Sequence, residues 1–267
     1  MKKIIFAVFS LAMVFMLSVS IFAGVNVYVT VSDGSGDVDL AAKAVEVKDI
    51  DGDGSLTLDD AIYCAHEQYY EGGAEAGYKS YLGQYGLALE KLWGVNNGGS
   101  YGYYLNNASA MSLGDPVKDG DYISAFAYSD LTAWSDSYSW FDAHHTEVKA
   151  GEKLTLKLSS AGYDEAFNPI VLPVSGAVIT VDGEKTGYVT DENGNVTIEL
   201  SAGEHLISAV SDTVTLVPPV CIVNTADAPV VEAPQTADAS LSVIVAFAFA
   251  AISLCVTAVR GKSVYEK

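Results

Sequence analysis

The chain is 267 residues long, half of its residues are hydrophobic, and its formal net charge at pH 7 is −20. So acidic a surface repels nucleic acid and anionic lipid headgroups, which excludes nucleic-acid binding from the expected functions, and it attracts divalent cations. Three cysteines are too few for a disulfide framework.

Residues 1–23 predict a secretory signal peptide. Lys2 and Lys3 precede an apolar run from Ile4 to Phe22, and Ala23 supplies a small exit residue. A basic start, an apolar centre and a small cleavage residue are typical of such peptides. Because no Ala-x-Ala cleavage site is present, an uncleaved membrane anchor is the alternative. In either case we expect the bulk of the chain outside the cell.

Residues 24–143 predict a first domain that begins with two strands and a helix. Valines from Val25 to Val31 alternate with polar residues, which is the period of a β-strand, and Val45 and Val47 indicate a second strand. The stretch Leu58 to Tyr70 carries an apolar stripe at helical spacing.

The segment between the second strand and the helix, residues 49–60, has the pattern of a twelve-residue calcium loop. Oxygen-bearing side chains recur at the ligand positions, and Gly54 occupies the sixth position, where the chain must turn sharply. The entering segment is predicted as a strand, so the motif is EF-like rather than a helix–loop–helix EF-hand, and an acidic turn without an ion is the alternative. The predicted Ca²⁺ ligands are Asp49, Asp51, Asp53, Ser55, Thr57 and Asp60.

Two further motifs carry a resemblance to a known family. They are Tyr103-Tyr104-Leu105-Asn106 and Lys118-Asp119-Gly120-Asp121-Tyr122-Ile123. Over about residues 25–142 the chain resembles bacterial surface domains related to the C-terminal domain of transcobalamin and intrinsic factor. The resemblance implies a β-grasp-like fold, a small mixed sheet with one packed helix. It also implies corrinoid or tetrapyrrole binding as an alternative function, although no helical partner domain like that of the vitamin carriers is predicted here.

Tyrosine and tryptophan residues crowd into the stretch from Trp93 to Trp140. Their side chains combine apolar area with a polar group, which suits flat ligands, sugars and protein partners. The alternative to a ligand face is that half of these side chains fill the core of a small domain. The predicted ligand face comprises Trp93, Tyr101, Tyr103 and Tyr104.

Residues 144–224 predict an all-β second domain. Apolar residues alternate over 154–158 and 196–200, and Asp182-Gly183 and Asn193-Gly194 indicate hairpin turns. This pattern resembles an immunoglobulin-like or carboxypeptidase-regulatory-like sandwich. We expect it to hold the first domain away from the membrane.

The C-terminal part predicts surface anchoring. A Pro-containing spacer (225–240) precedes 19 uncharged residues (241–259), long enough for a transmembrane helix, and a basic tail (260–267) belongs on the cytoplasmic side. Pro234 to Asp238 resembles a Gram-positive sorting signal, with Ala233 in place of Leu and Ala237 in place of Gly. Cell-wall attachment and membrane retention both stay open.

These patterns predict the α+β class: a β-grasp-like domain with one packed helix, an immunoglobulin-like sandwich and a C-terminal transmembrane helix. No catalytic motif is present, so we expect a non-enzymatic, calcium-binding, single-pass cell-surface protein whose partner is a small molecule, a glycan or a surface protein. A dockerin-like assembly module is the other alternative, because the acidic loop resembles half of a dockerin.

Overall fold

The structure is a computed structural model that describes residues 24–226. The predicted signal peptide, transmembrane helix and cytoplasmic tail, and most of the predicted spacer, lie outside the described residues. Within the described part of the chain, no helix is long and apolar enough to cross a membrane.

The described residues form two helices and seventeen strands. The helices are α1 (Leu58–Tyr69) and α2 (Gly73–Gly77). The strands are β1 (Val25–Ser32), β2 (Leu40–Val47), β3 (Lys79–Gly83), β4 (Gly86–Lys91), β5 (Tyr101–Leu105), β6 (Ala108–Ser109), β7 (Tyr122–Ala127), β8 (Ser137–Phe141), β9 (His145–Lys149), β10 (Lys153–Tyr163), β11 (Pro169–Pro173), β12 (Val178–Val181), β13 (Glu184–Val189), β14 (Asn195–Glu199), β15 (Gly203–Val210), β16 (Leu216–Val217) and β17 (Cys221–Ala226).

The first sheet is mixed, with strand order β2-β1-β7-β5-β6. β1 pairs antiparallel with β2 and parallel with β7, and β5 runs antiparallel to β7. Alternation along β1 sends Val27, Val29 and Val31 to one face, where all three are fully buried. Leu58 and Ile62 of α1 belong to the same core, so the helix covers this face of the sheet.

A capping box begins α1. The Thr57 hydroxyl accepts from the backbone N–H of Asp60, and the Asp60 carboxylate accepts from the backbone N–H of Thr57. Gly72 follows the helix in the left-handed region, with φ of 89°. After α2, β3 and β4 form a two-stranded antiparallel hairpin.

The second half of the described chain is a β-sandwich. One sheet has the order β11-β10-β8-β16, with β14 also paired to β10, and the other has the order β13-β12-β15-β17-β9. Side chains from both sheets fill one core, which includes Phe141, Leu156, Leu158, Ile198, Ile179, Ile207 and Val223. The two sheets therefore pack face to face.

Strand β8 belongs to the sandwich, although the predicted domain boundary at 143/144 places it in the first domain. Phe141 of β8 pairs with Leu158 of β10, and Ser137 pairs with Leu216 of β16. All described residues fall within one compact unit. The boundary of the sandwich in the structure thus precedes β8.

The predicted α+β class is wrong for this chain. Strands account for 50% of the structure and helices for 8%, and most of the structure is a β-sandwich. The physical reason is that, among residues 24–226, only the 12 residues of α1 form a helix with both a side-chain cap and a full apolar stripe at helical spacing. The residues around it bury their apolar side chains by strand pairing instead.

Candidate functional site

The predicted calcium loop lies between β2 and α1, and it gathers three carboxylates at its tip. Asp49, Asp51 and Asp53 each offer an oxygen within 4.8 Å of the others, and all three residues are exposed. Hard cations such as Ca²⁺ prefer oxygen ligands of this kind, so the donor set fits the predicted ion.

Backbone N–H groups hold the loop in shape. The two Asp49 carboxylate oxygens accept from Gly52 N at 2.7 Å and from Gly54 N at 2.9 Å. Both glycines have positive φ, 75° and 88°, a region that favours glycine. The Asp53 carboxylate accepts from Ser55 N at 2.7 Å. The turn is therefore built around the acidic side chains themselves.

The electrostatics of the cluster differ from residue to residue. The hydrogen bond from Gly54 N–H is the main reason that the pKa of Asp49 lies below its usual value. At Asp51 the hydrogen bond from Asp53 N–H also lowers the pKa, but desolvation and the neighbouring charges of Asp53 and Asp60 outweigh it, so the pKa of Asp51 is raised. Crowding of negative charge thus acts on this loop, and a bound cation would relieve it.

The other three predicted ligands are Ser55, Thr57 and Asp60. Ser55 is exposed on the loop. Asp60 is only 3% exposed, and its carboxylate accepts from Ile50 N at 2.9 Å, Thr57 N at 2.9 Å and the Thr57 hydroxyl at 2.7 Å. Thr57 and Asp60 therefore fasten the loop to α1, while three of the six predicted ligands lie together.

The predicted aromatic ligand face is distributed over two sides of the first sheet. The Trp93 ring packs against His66 and Tyr70 with centroid distances of 5.0 and 5.1 Å, and Trp93 N donates to His66 Nε2 at 2.9 Å. Tyr101 and Tyr103 pack against the same helix-side core. These three residues mainly complete the core of the first sheet.

Tyr104 lies on the opposite side of the sheet and stacks on Tyr138 of β8. Their ring centroids are 3.6 Å apart and their planes differ by 13°. Phe126 of β7 stacks beside them, 6.1 Å from Tyr138. This aromatic stack joins the first sheet to the sandwich.

Beside the stack is a cavity of about 430 Å³, here called the seam cavity. Its wall combines residues of β5 with the segment around β8 and the end of β10. The aromatic residues that line it are Tyr101, Tyr103, Tyr104, Tyr128, Trp134, Tyr138 and Tyr163. Three of the four predicted face residues thus border it, whereas Trp93 does not.

Trp134 is presented to the seam cavity by a tightly bonded loop. Its side chain is 59% exposed and its φ is +51°, which is uncommon for a bulky residue. Trp134 N donates to Asp130 O at 3.1 Å, Asp130 N donates to Asp136 Oδ2 at 2.9 Å, and Ser135 Oγ donates to Asp130 Oδ2 at 2.7 Å. The indole Nε1 donates to Ser100 Oγ at 3.1 Å, so both backbone and ring are held.

The seam cavity carries little charge. Of the described residues, Asp136 is the one charged residue in its lining. Burial raises the pKa of Tyr104 to about 12, and burial also raises the pKa of Tyr128. The phenol groups of Tyr104 and Tyr128 therefore stay neutral hydroxyls at physiological pH.

Four aromatic residues of the cavity, Tyr128, Trp134, Tyr138 and Tyr163, lie outside the predicted ligand face. Tyr163 follows Tyr104 by almost sixty positions, and only the pairing of β8 with β10 places it at the cavity. The clustering of tyrosine and tryptophan in the sequence indicates an aromatic site in this region. It does not indicate that β10 of the sandwich pairs with β8 and completes that site.

No family model matches the chain, and no curated protein matches it. Among solved structures, the chain is similar to the ectodomain of the polymeric Ig receptor of a teleost fish, with 11% sequence identity. The match covers 48% of this chain and 62% of that chain, with a TM-score of 0.21.

Proposed function

We propose that the protein is a non-enzymatic, calcium-binding protein of the cell surface that holds its ligand in the seam cavity. The observation that carries the calcium part is the convergence of the Asp49, Asp51 and Asp53 carboxylates within 4.8 Å. The role in ligand binding is supported by the cavity volume of about 430 Å³, within the range of about 300–1,000 Å³ found for ligand pockets.

Calcium acts structurally in this proposal. The ion takes oxygens from Asp49, Asp51 and Asp53, and it neutralises the repulsion among them. Asp60 keeps its role in the capping box and fixes the distance between loop and helix. Calcium binding therefore stabilises the loop between β2 and α1. The residues that line the seam cavity do not belong to this loop.

Calorimetric titration of calcium into the full chain, with thermal melts in chelator and in calcium, tests the proposal. We expect about one ion per chain and a gain of about 2.7 kcal/mol in unfolding free energy at a hundredfold excess of calcium over Kd. The double variant Asp49→Ala/Asp53→Ala loses both.

The matched control is Asp164→Ala/Asp191→Ala, which removes two other exposed carboxylates that accept loop N–H groups. It changes net charge equally and should keep the calcium response. Absence of calcium binding by the wild type, or equal binding by the first double variant, would contradict the proposal.

A further inference from the structure

We infer that the seam cavity binds a neutral carbohydrate, with Trp134 as the platform on which a sugar ring stacks. This inference rests on the proposed function, because it names the ligand class of the same cavity. It is carried by three features of the cavity: fixed aromatic faces, the near absence of charge, and hydroxyl-bearing side chains in its lining.

The aromatic faces are held before any ligand arrives. Trp134 is fixed at its backbone by Asp130 and at its ring by Ser100, so little side-chain freedom is lost on binding. Tyr104 is fixed from behind by its stack on Tyr138. Flat aromatic faces are electron-rich, and the C–H groups on the face of a sugar ring carry the opposite partial charge.

The charge of the cavity argues against ionic ligands. Among residues 24–226, no lysine, arginine or histidine lines the cavity, so an anionic group would meet no cation from this part of the chain. Its one carboxylate, Asp136, is already engaged: Oδ1 accepts from the backbone and side chain of Ser129, and Oδ2 accepts from Asp130 N. A neutral ligand is therefore favoured over an anion and over a cation.

The polar groups of the cavity suit a ligand rich in hydroxyls. Tyr104, Tyr128 and Tyr163 all line the cavity, so three residues with phenol groups border one space. Ser109 and Ser137 also line the cavity, and so does Ser135, whose hydroxyl hydrogen is already donated to Asp130 Oδ2. A hydroxyl group with a free hydrogen can both donate and accept a hydrogen bond, which matches the hydroxyl array of a sugar.

The test is a binding titration of the full chain with neutral tetrasaccharides: cellotetraose, xylotetraose, maltotetraose and chitotetraose. The protein is kept in a detergent without a sugar headgroup, and binding is followed by calorimetry and by tryptophan fluorescence. We expect at least one tetrasaccharide to bind, and Trp134→Ala to weaken that binding by about tenfold or more.

Tyr85→Ala is the matched control, because Tyr85 is an aromatic residue 86% exposed at the β3–β4 turn and outside the cavity lining. It should leave the affinity unchanged. If Trp134→Ala does not fold, Tyr163→Phe replaces it, since that variant keeps the ring and removes one hydroxyl of the lining. It too should weaken binding.

Three outcomes would overturn the inference: no tetrasaccharide binds, binding persists in both cavity variants, or only choline or sialyllactose, used as cationic and anionic probes, binds. The Asp49→Ala/Asp53→Ala variant separates the two proposals. Sugar binding without a calcium response leaves the inference standing and removes the calcium part, whereas a calcium response without sugar binding does the reverse.

Discussion

Replacing Asp60 with alanine removes a buried carboxylate that joins the acidic loop to α1. Its two oxygens accept from Ile50 N, Thr57 N and the Thr57 hydroxyl, and Asp60 itself is 3% exposed. The substitution keeps the bond from the residue 60 N–H to the Thr57 hydroxyl but removes the reciprocal half of the capping box, and each buried donor left without a partner costs about 1–3 kcal/mol. Because Ile50 is 38% exposed, water can reach one of the orphaned donors. The expected loss in unfolding free energy is therefore about 2–4 kcal/mol.

Urea unfolding of the full chain, in chelator and in calcium, measures this loss. The key expectation is that Asp60→Ala is destabilised even in chelator, because the capping box needs no ion. Asp60→Asn retains an acceptor oxygen and should lose less. Asp37→Ala, which removes an exposed carboxylate between β1 and β2, should stay within about 0.5 kcal/mol of the wild type.

The reasoning is refuted if Asp60→Ala matches the wild type in chelator and differs from it only in calcium. That result would make Asp60 a metal ligand without a structural role of its own. It would also mean that the arrangement of Thr57 and Asp60 described above does not contribute to the stability of α1.

Two further predictions concern buried groups. Burial lowers the pKa of His66 from 6.5 to about 4, so the unfolded chain binds this proton more readily. Neutral His66 therefore gives its full contribution to the free energy of unfolding above pH 6.5. As pH falls from 6.5 toward 4, the free energy of unfolding decreases by up to about 3 kcal/mol. Urea unfolding at pH 7 and pH 4.5 should show a smaller difference for His66→Phe than for the wild type, and equal differences would contradict this. Gly194 and Gly183 both have positive φ, but a Cβ at Gly194 would meet the Leu158 carbonyl oxygen at 2.3 Å, whereas a Cβ at Gly183 meets nothing within 4 Å. Thermal melts should therefore show a larger loss for Gly194→Ala than for Gly183→Ala, and a similar loss in both would count against the steric argument.

Local signals predicted the local elements well. The valines of β1 alternate over the whole strand, and α1 begins at Leu58, directly after the residue that caps it. Such patterns depend on residues within one or two turns of each other, so they are readable along the sequence. The spacing of Asp49, Asp51 and Asp53 likewise placed three carboxylates together, and calcium binding by them stays a prediction.

The fold class and the seam cavity depended on contacts between distant residues. Nothing in Ser137–Phe141 says that its partners are β10 and β16 rather than the first sheet, because a strand's own sequence does not specify its neighbours. The same pairing brings Tyr163 next to Tyr104. The face to which Tyr104 points followed from the alternation of β5, but what it stacks on did not.

Both ends of the described chain lie in interior strands. β1 runs between β2 and β7, and β17 runs between β15 and β9. Neither of these strands can peel away without breaking hydrogen bonds on both sides. A pull applied at Val25 and Ala226 would have to slide each strand past two neighbours at once. Forced extension of residues 24–226 from these two points would therefore have to break the hydrogen bonds on both sides of each strand before the sheets separate.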